Sequence, residues 1–527
     1  MTRSEMKIQT LWNEISGYDK FVFYGAGDIA EVFLEVLKER NYQPLYCVVS
    51  DVKKNPKSVN GIPVYDFHER AVELRENNIL IFISSISVKS NKKITDMIKS
   101  YGITNVLSAS CFYFPVVSGN TFWDMYSEKE YEWYISRVEN WCQEQYGISL
   151  EESLVSHNES KNKILFVVEN FGARTVKIAK ALKKSGKEVL IFLDGKEKSN
   201  LMWISLCGIL DKEEIGYSFF GPIEELLFLI LKNKGSMIHV FSSPWTPYTS
   251  YILVKLQDMI GNVIFENYDI ANGFHTTLDD RMLKLEKYCI ENAKGVCYRE
   301  YSLEYLIDVL HFEIKGSTIR FLDYCSDRKC KISRKNTDAE LTLCYVGGIE
   351  PKEEYPDTPF EHLEFASLCE KNKCHFHIYP PNWDEKRYEE YIRRDEESLY
   401  FHFHKPVSND RLAEEISQYD YGVSPIRDDI WENKQSGQYT KEKFIYAGAN
   451  KLFDYLDAGL PIVTAIPQKI SQYLEEKGVL INWTNGQYDF DYLREQKEPM
   501  REKVSDVREE LRIGNYIQEL LRFYESL

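Results

Sequence analysis

The stretch YDYGVSPIRDDIWENKQSGQYTKEKFIYAGANKLFDYLDAGLPIVTA, from Tyr419 to Ala465, predicts a strand, a polar loop, a helix and a second strand. The first strand ends at Pro425, the helix spans about 450–458, and Gly459 ends it before the run LPIVTA. Apolar runs without polar alternation are typical of strands buried on both faces of a parallel sheet. Ligands of such sheets bind outside the carboxyl ends of the strands, so we expect the loop and the helix start to face a cleft.

The start of this helix has the chemistry of an anion site. Free backbone N–H groups and the positive end of the helix dipole point outward there. Lys451 adds a cation in the first turn, and Asp454, one turn later on the same side, can accept hydrogen bonds from ribose hydroxyls. We therefore predict that a nucleotide binds here. The alternative is that both side chains belong to a solvated helix face.

Three blocks of the chain repeat one order: a short β-branched or aromatic run, a glycine turn and a helical period. They are KFVFYGAG (20–27), KILFVVENFG (163–172) and LTLCYVGG (341–348). Strands that alternate with helices favour βαβ units, so we predict an α/β fold with three parallel sheets in a row. The predicted segments are an accessory domain at 1–112, a helical linker at 113–162, sheet domains at 163–335 and 336–496, and terminal helices at 497–527.

Composition narrows the class of function. The chain has 527 residues and a net charge of −17, which argues against a nucleic-acid partner because phosphates would be repelled. Its 11 cysteines are scattered, as in a reducing cytoplasm. The first twenty residues contain no apolar signal segment, and the longest dense apolar run, LLFLIL at 226–231, is too short to span a bilayer. We expect a cytoplasmic protein, with the inner face of the membrane as an alternative place.

The run Cys374-His375-Phe376-His377 raises the question of a metal site. Its alternation of polar and apolar residues favours a β-strand with two different faces. No other ligand spacing in the sequence is typical of a metal centre. The sequence therefore predicts no metal.

The stretch ANKLFDYLDAGLPIVTA (449–465) resembles glycosyltransferases of the GT-B fold, close to family 4. The resemblance implies that Asp454 binds the donor ribose and that Lys451 and the backbone around 448–450 face the diphosphate. It extends to further donor-side positions, where basic and glycine residues follow the strands. The implied donor residues are Gly347, Gly348, Arg427, Gly448, Asn450, Lys451 and Asp454.

Two motifs depart from the family pattern, at three positions. Many retaining members carry a glutamate where this chain has Tyr446, and an arginine where it has Gly348; Lys352 stands one position short of the family's lysine. The resemblance implies a diphosphate clamp that is either assembled differently, from Arg427 and Lys451, or weak. It leans towards the retaining class without deciding it.

The second block resembles the acceptor half of the same fold. VIFENYDIANGFH (263–275) and NAKGVCYREYSLEYL (292–306) correspond to its strand ends and loops. Asp269, His275 and Arg427 are the implied catalytic candidates, with His275 as a general base. The implied acceptor-side residues are Gly172, Tyr268, Arg299 and Glu300. Ordinary loop polarity is the alternative for all of them.

The first block carries a GxGxxA turn between a strand and a helix. Gly25, Gly27, Asp28 and Asp51 are the candidate nucleotide-binding residues, because a glycine turn and a later acidic residue are the pattern of dinucleotide sites. The segment, including NGIPV at 60–64, resembles the N-terminal Rossmann-like domain of sugar O-acyltransferases. The alternative is a domain of this fold that has lost its ligand.

The combined resemblance implies a metal-independent, hexosyltransferase-like enzyme without a cofactor, which uses a nucleotide sugar as substrate. The implied acceptor is a glycan, a lipid-linked sugar or a protein in bacterial surface polysaccharide or protein glycan assembly, with peripheral membrane contact allowed. A nucleotide-sugar epimerase and a non-catalytic scaffold are the alternatives. The oligomeric state is left open. We also predict a hinge at 326–338 and a tail whose apolar face packs on the 163–335 half, formed by Leu511, Ile517, Leu520, Leu521 and Phe523.

Overall fold

The fold is that of a computed structural model of the chain. The chain divides into two compact units, Met1–Glu130 and Tyr131–Leu527. The residues that the structure describes are 13–18, 20–27, 30, 33–34, 37–38, 41–84, 88–108, 131–154, 163–195, 201–244, 247–275, 278, 280–328, 330–332, 340–351, 360, 362–425, 435–436, 439–448, 450–466, 468–483 and 488–527.

The first unit contains one sheet in the order β3-β4-β2-β1-β5-β6, parallel except for the β3–β4 pair. Phe21 and Phe23 of the central strand belong to one core cluster and Val22 and Tyr24 to another, so both faces of this sheet are covered. The strands are β1 (Phe21–Tyr24), β2 (Cys47–Val49), β3 (Ser58–Val59), β4 (Ile62–Asp66), β5 (Leu80–Ile83) and β6 (Val106–Ser108), and the helices are α1 (Phe67–Glu76) and α2 (Val88–Ser100).

The second unit contains two further parallel sheets. The first, in the order β13-β12-β11-β10-β7-β8-β9, has the strands β7 (Lys163–Val168), β8 (Glu188–Asp194), β9 (Gly216–Phe220), β10 (Met237–Ser242), β11 (Val263–Asn267), β12 (Gly295–Tyr298) and β13 (Ser317–Arg320). The second, in the order β16-β15-β14-β17-β20-β21, has β14 (Thr342–Val346), β15 (His375–Tyr379), β16 (Phe401–Phe403), β17 (Tyr421–Ser424), β20 (Ile462–Thr464) and β21 (Leu480–Asn482). A small antiparallel hairpin consists of β18 (Gln435–Ser436) and β19 (Tyr439–Thr440).

Helices follow most strands, as the sequence pattern predicts. They are α3 (Tyr131–Tyr146), α4 (Leu150–Leu154), α5 (Ala173–Lys184), α6 (Leu201–Lys212), α7 (Ile223–Lys232), α8 (Tyr248–Ile260), α9 (Asp280–Asn292), α10 (His362–Lys371), α11 (Glu389–Glu397), α12 (Asn409–Ile416), α13 (Lys441–Tyr446), α14 (Asn450–Asp457), α15 (Lys469–Glu476), α16 (Phe490–Glu510) and α17 (Ile513–Glu525). Within the described part of the chain, none of the helices is long and apolar enough to cross a bilayer.

The chain crosses between the two sheets of the second unit twice, and the residues at the two crossings lie next to each other. Cys325 leaves the first sheet and pairs with the α16–α17 turn, where its N–H donates to the carbonyl of Leu511 at 2.9 Å. Helix α16 packs in the core of the later sheet, whereas α17 packs in the core of the earlier one through Ile517 and Leu520. The two sheets of the second unit are thus joined both by the chain at Cys325 and by the returning final helix. The predicted α/β fold with three parallel sheets is confirmed.

Candidate functional site

The carboxyl end of β14 and the start of α14 meet at Lys451, whose side chain is half-buried. The Lys451 ammonium donates to the Tyr345 hydroxyl at 2.9 Å, and that hydroxyl donates to the Gly348 carbonyl at 2.8 Å. Gly347 adopts φ +134°, and a Cβ there would lie 3.4 Å from Lys451 Nζ. Burial lowers the pKa of Lys451 to about 7, although Asp454 and Glu350 act in the opposite direction. The Lys451 side chain therefore changes its charge near neutral pH, and an anionic ligand would favour its protonated form.

His362, at the start of α10, lies beside this lysine and was not predicted. Its ring is fully buried against Tyr345, with ring centroids 4.3 Å apart, and its two nitrogens have no hydrogen-bond partner among the described residues. Burial, followed by the charge of Lys451, lowers the pKa of His362 to about 3. A lone histidine at the start of a helix gives no sequence signal, because its neighbours Tyr345 and Lys451 come from other elements of the fold.

The first residue of α14 connects the two sheets. Asn450 donates through Nδ2 to the Tyr268 hydroxyl at 2.6 Å, and its Oδ1 accepts from the Arg299 guanidinium. Arg299 also stacks on the Tyr268 ring, with its guanidinium carbon 4.0 Å from the centroid. A predicted donor residue thus contacts two predicted acceptor residues directly.

Gly448 allows the two sides to approach. A Cβ at this position would overlap the Glu300 carboxyl group, so no larger residue fits without displacing that side chain. Glu300 is buried, and burial raises its pKa to about 8, with Arg299 acting against the rise. Its carboxyl group is therefore neutral over most of the physiological range.

A series of buried ion pairs connects Arg299 to Glu266. Arg299 donates to Asp323 at 2.7 Å, and Asp323 also accepts from Arg174 at 3.2 Å. Arg174 in turn donates to Glu266 at 2.7 Å and 3.1 Å. Burial opposes the charge of Arg299, but Asp323 and Tyr268 keep its pKa well above the ordinary value. Asp323 lies shortly after the end of β13, and this position beyond a strand end is the sequence signal that could have identified it.

The predicted catalytic loop lies against the hairpin. Asp269 pairs with Lys443 at 3.1 Å, and His275 forms a β-bridge with Tyr439. Burial acts to raise the pKa of Asp269, but Lys443, Arg299 and His275 hold it below the ordinary value. Burial and then Lys443 lower the pKa of His275 to about 4. At neutral pH the pair is a carboxylate beside a neutral imidazole.

Glu286 of α9 fixes this loop and was also missed. Its carboxylate accepts from the backbone N–H groups of Ala271 and Asn272 at 2.6 Å and 2.7 Å, and from the Asn272 side chain at 2.6 Å. Burial raises its pKa to about 7, and these hydrogen bonds act in the opposite direction. Such contacts order the backbone on which Asp269 and His275 are placed.

Asp454 lines a cavity of about 800 Å³ between the sheets. Lys177, Ser326 and Asp457 line it as well, whereas Lys451 and Gly347 do not. Burial raises the pKa of Asp454 to about 6, against the effect of Lys177. The two parts of the predicted donor site are therefore distinct: a half-buried lysine at the helix start and a carboxyl group on the wall of the cavity.

The remaining residues that the sequence predicted for binding sites lie in different parts of the fold. Gly172 is the N-cap of α5, and a Cβ there would lie 4.0 Å from the Tyr268 ring. In the first unit, Gly25 follows β1 and Asp51 follows β2, which are neighbours, so Gly25, Gly27 and Asp51 share one edge of the sheet. Asp51 accepts from the Lys53 N–H at 3.0 Å and caps a short 3₁₀ helix. Asp28 and Arg427 lie outside the described residues.

No protein-family model matches the chain, and no curated protein matches it. Similar solved structures include the pneumococcal O-GlcNAc transferase GtfA in complex with UDP and GlcNAc, at 11% identity and a TM-score of 0.39 over 58% of this chain and 60% of that one. TarM matches at 11% identity and a TM-score of 0.44, over 69% of this chain and 99% of its own. An E. coli structure, named trehalose-6-phosphate and bound with UDP-2-fluoro glucose, matches at 11% identity and a TM-score of 0.43. The match covers 69% of this chain and 99% of that one.

Proposed function

We propose that this chain is a glycosyltransferase that moves a sugar from a nucleotide-activated donor to an acceptor hydroxyl. The observation that carries the proposal is the contact of Asn450 with Tyr268 and Arg299, because it joins the donor-type helix start to the acceptor-type strand ends. Transfer between two substrates requires their binding groups to meet at one place. The GT-B arrangement and the sequence ANKLFDYLDAGLPIVTA support the same reaction class.

In this proposal the donor diphosphate binds at Lys451 and the ribose at Asp454. Lys451 lies in the first turn of α14, where free backbone N–H groups and the helix dipole favour a phosphate. Asp454 lies three residues later, on the same side of the helix and on the wall of the cavity. Charge that develops on the leaving diphosphate is then stabilised by the Lys451 ammonium and the helix N–H groups, without a metal ion.

The acceptor, in this proposal, binds at the loop held by Glu286. Asp269 remains ionised and His275 remains neutral at pH 7, because their pKa values are lowered. A neutral imidazole or a carboxylate can accept the proton of an attacking hydroxyl group. We assign these two residues as candidate bases, with Arg299 and Tyr268 as positioning residues.

We further propose that the acceptor is a glycan, a lipid-linked sugar or a protein, in bacterial surface polysaccharide or protein glycan assembly. The test is a thermal-shift screen of the full chain with UDP-, GDP-, CMP- and TDP-sugars, followed by transfer and hydrolysis assays with a radiolabelled form of each sugar that binds. We expect one nucleotide class to raise the unfolding temperature and its labelled sugar to reach an acceptor.

The same experiment separates the alternatives. An epimerase would convert the nucleotide sugar to its isomer without any acceptor. A scaffold protein would bind the donor tightly but catalyse neither transfer nor hydrolysis. If no nucleotide sugar changes the unfolding temperature, the proposed donor site is wrong.

A further inference from the structure

Four of the ten histidines of the chain line one face of the strand pair β15–β16. His375 and His377 alternate with core residues on β15, while His402 on β16 and His404 just beyond it do the same. The strands are parallel, and His377 stands directly opposite His402. Phe376 and the other apolar residues point to the opposite face, into the core. The register therefore collects four imidazole rings into a single cluster.

The ring nitrogens point at one another. His375 Nδ1 lies 2.9 Å from His402 Nε2, and His377 Nδ1 lies 2.9 Å from His404 Nε2. One nitrogen each of His375, His377 and His402 lies within 4.8 Å of the other two. Nitrogens around a tetrahedral Zn²⁺ with bonds of about 2.0–2.1 Å are about 3.3 Å apart. Small shifts of these rings therefore suffice to surround an ion.

Carboxylates stand behind two of these rings. Glu340 Oε2 lies 3.1 Å from His375 Nε2, and Asp395 Oδ1 lies 3.9 Å from His402 Nδ1. The Tyr400 hydroxyl donates to the other oxygen of Glu340 at 3.3 Å. A carboxylate on the far nitrogen of a histidine is the usual support of a metal ligand, since it fixes the tautomer and raises the basicity of the ring.

We propose that His375, His377 and His402 bind a Zn²⁺ ion, with the fourth position left to water. A donor set of imidazoles suits Zn²⁺ and related divalent transition metals rather than Mg²⁺ or Ca²⁺. The side chains of His375 and His402 are 27% and 30% exposed, so an ion can reach them from solvent. The proposal does not depend on the proposed function.

The position of this site indicates a structural role. His375 pairs with Thr342, the first residue of β14, whereas Gly347 follows the last residue of that strand. His377 pairs with Cys344 in the middle of the same strand, so the zinc site extends from the amino ends of the strands to their middle, away from the candidate donor site at the carboxyl ends. It joins the edge strand β16, only three residues long, to its neighbour β15. Zinc is expected to stabilise the sheet without changing donor affinity.

The test uses the full chain without an affinity tag, freed of metal by a chelator, and titrates it with Zn²⁺ by calorimetry and thermal unfolding. We expect one Zn²⁺ per chain and a higher unfolding temperature. His402→Asn should weaken binding by about a hundredfold, and Glu340→Gln by about tenfold, as for supporting carboxylates in other sites. The control is His68→Asn, which changes a histidine of the first unit that contacts Tyr101 and should leave zinc binding unchanged.

Co²⁺ provides an independent measurement, because ligation in a tetrahedral site produces visible absorption bands. We expect these bands in the unmodified chain and their loss in the variant His375→Asn/His402→Asn. Circular dichroism shows whether each variant is folded, and if the double variant is not, His375→Asn alone serves. The proposal is overturned if Zn²⁺ fails to bind, or if it binds equally well to the unmodified chain and to the folded variant.

Discussion

At the scale of single residues, the candidate site contains several ionisable groups whose pKa values are shifted by burial in the direction that favours the uncharged form. Lys451, Glu300 and Asp454 all have pKa values moved towards neutrality by loss of water. Clusters of such groups in a cleft are typical of functional sites, because a ligand can restore the charge that burial removes. Each group therefore gives a measurable pH dependence.

Lys451→Ala should weaken nucleotide-sugar binding at least about tenfold, the equivalent of ~1.5–3 kcal/mol for a charged hydrogen bond. The free lysine is protonated below its pKa of about 7, and an anion binds the protonated form. Donor affinity should therefore fall as the pH rises through about 7 in the unmodified chain, and this slope should disappear in the variant. Calorimetry over this pH range measures both effects.

The matched control for this prediction is Lys503→Ala, which removes an exposed lysine of α16. It should bind the donor as the unmodified chain does, at every pH. Unchanged donor affinity in a folded Lys451→Ala variant would remove this lysine from the site.

Glu300→Gln should stabilise the protein at high pH. Glutamate has a pKa of 4.5 in the unfolded chain and about 8 at this position, so between these values the folded state holds a proton that the unfolded state has released. The stability of the unmodified chain therefore decreases as the pH rises from about 5 to 8, and a neutral glutamine does not show this loss. The variant should gain at least about 1.4 kcal/mol, the equivalent of one pKa unit, at about pH 8.5 relative to about pH 5.

Urea unfolding followed by tryptophan fluorescence at the two pH values measures the difference. Glu389→Gln, on the exposed start of α11, is the control and should show no such pH-dependent gain. A parallel pH dependence of Glu300→Gln and the unmodified chain would show that Glu300 titrates normally.

At the scale of secondary-structure elements, the sequence predicted the α14 region well because its signals are local. The apolar run of β17, the helical period of 450–457 and the glycine at 459 all act within a few residues. Contacts made by these elements could not be predicted in the same way. The HFH run at 375 indicated a strand, but only the register with β16 brings His402 beside it. Pairing between strands depends on the whole sheet, which a single run does not encode.

Gly448→Ala should disturb the contact between the α14 start and the earlier sheet. The new methyl group overlaps the buried Glu300 carboxyl group, and overpacking of this kind costs about 1–3 kcal/mol. Gly348→Ala is the matched control, since a Cβ there has no neighbour within 4 Å, and it should change the free energy of unfolding by less than about 0.5 kcal/mol.

A double-mutant cycle identifies the contact. In Glu300→Ala the space is open, so adding Gly448→Ala should cost less than it does in the unmodified chain. Equal costs in both backgrounds would show that the glycine is needed for another reason.

At the scale of the whole molecule, the second unit behaves as two sheets held together by a few buried groups. The chain of ion pairs from Glu266 through Arg174 and Asp323 to Arg299 ends at Asn450 of the other sheet. Its members are separated by up to about 280 residues in sequence and have no spacing that marks them as partners. Individual strand ends could be predicted, whereas their joining into one network could not.

Helix α17 provides the second connection between the two sheets. Leu520 is fully buried in the core of the earlier sheet, while the proposed donor residues Lys451 and Asp454 belong to the later one. Leu520→Ala should cost about 2–5 kcal/mol of stability, as for other buried leucines. If α17 aligns the acceptor half with the donor half, the variant should also lower the turnover number more than the donor affinity. The reason is that transfer requires both halves to be aligned, whereas donor binding requires only the donor half. Glu519→Ala, its neighbour on the exposed face of the helix, should change neither quantity. Calorimetry and steady-state kinetics on the folded variants, below their unfolding temperatures, measure the two effects separately. An equal loss of affinity and turnover would mean that α17 stabilises the fold without aligning the two substrates.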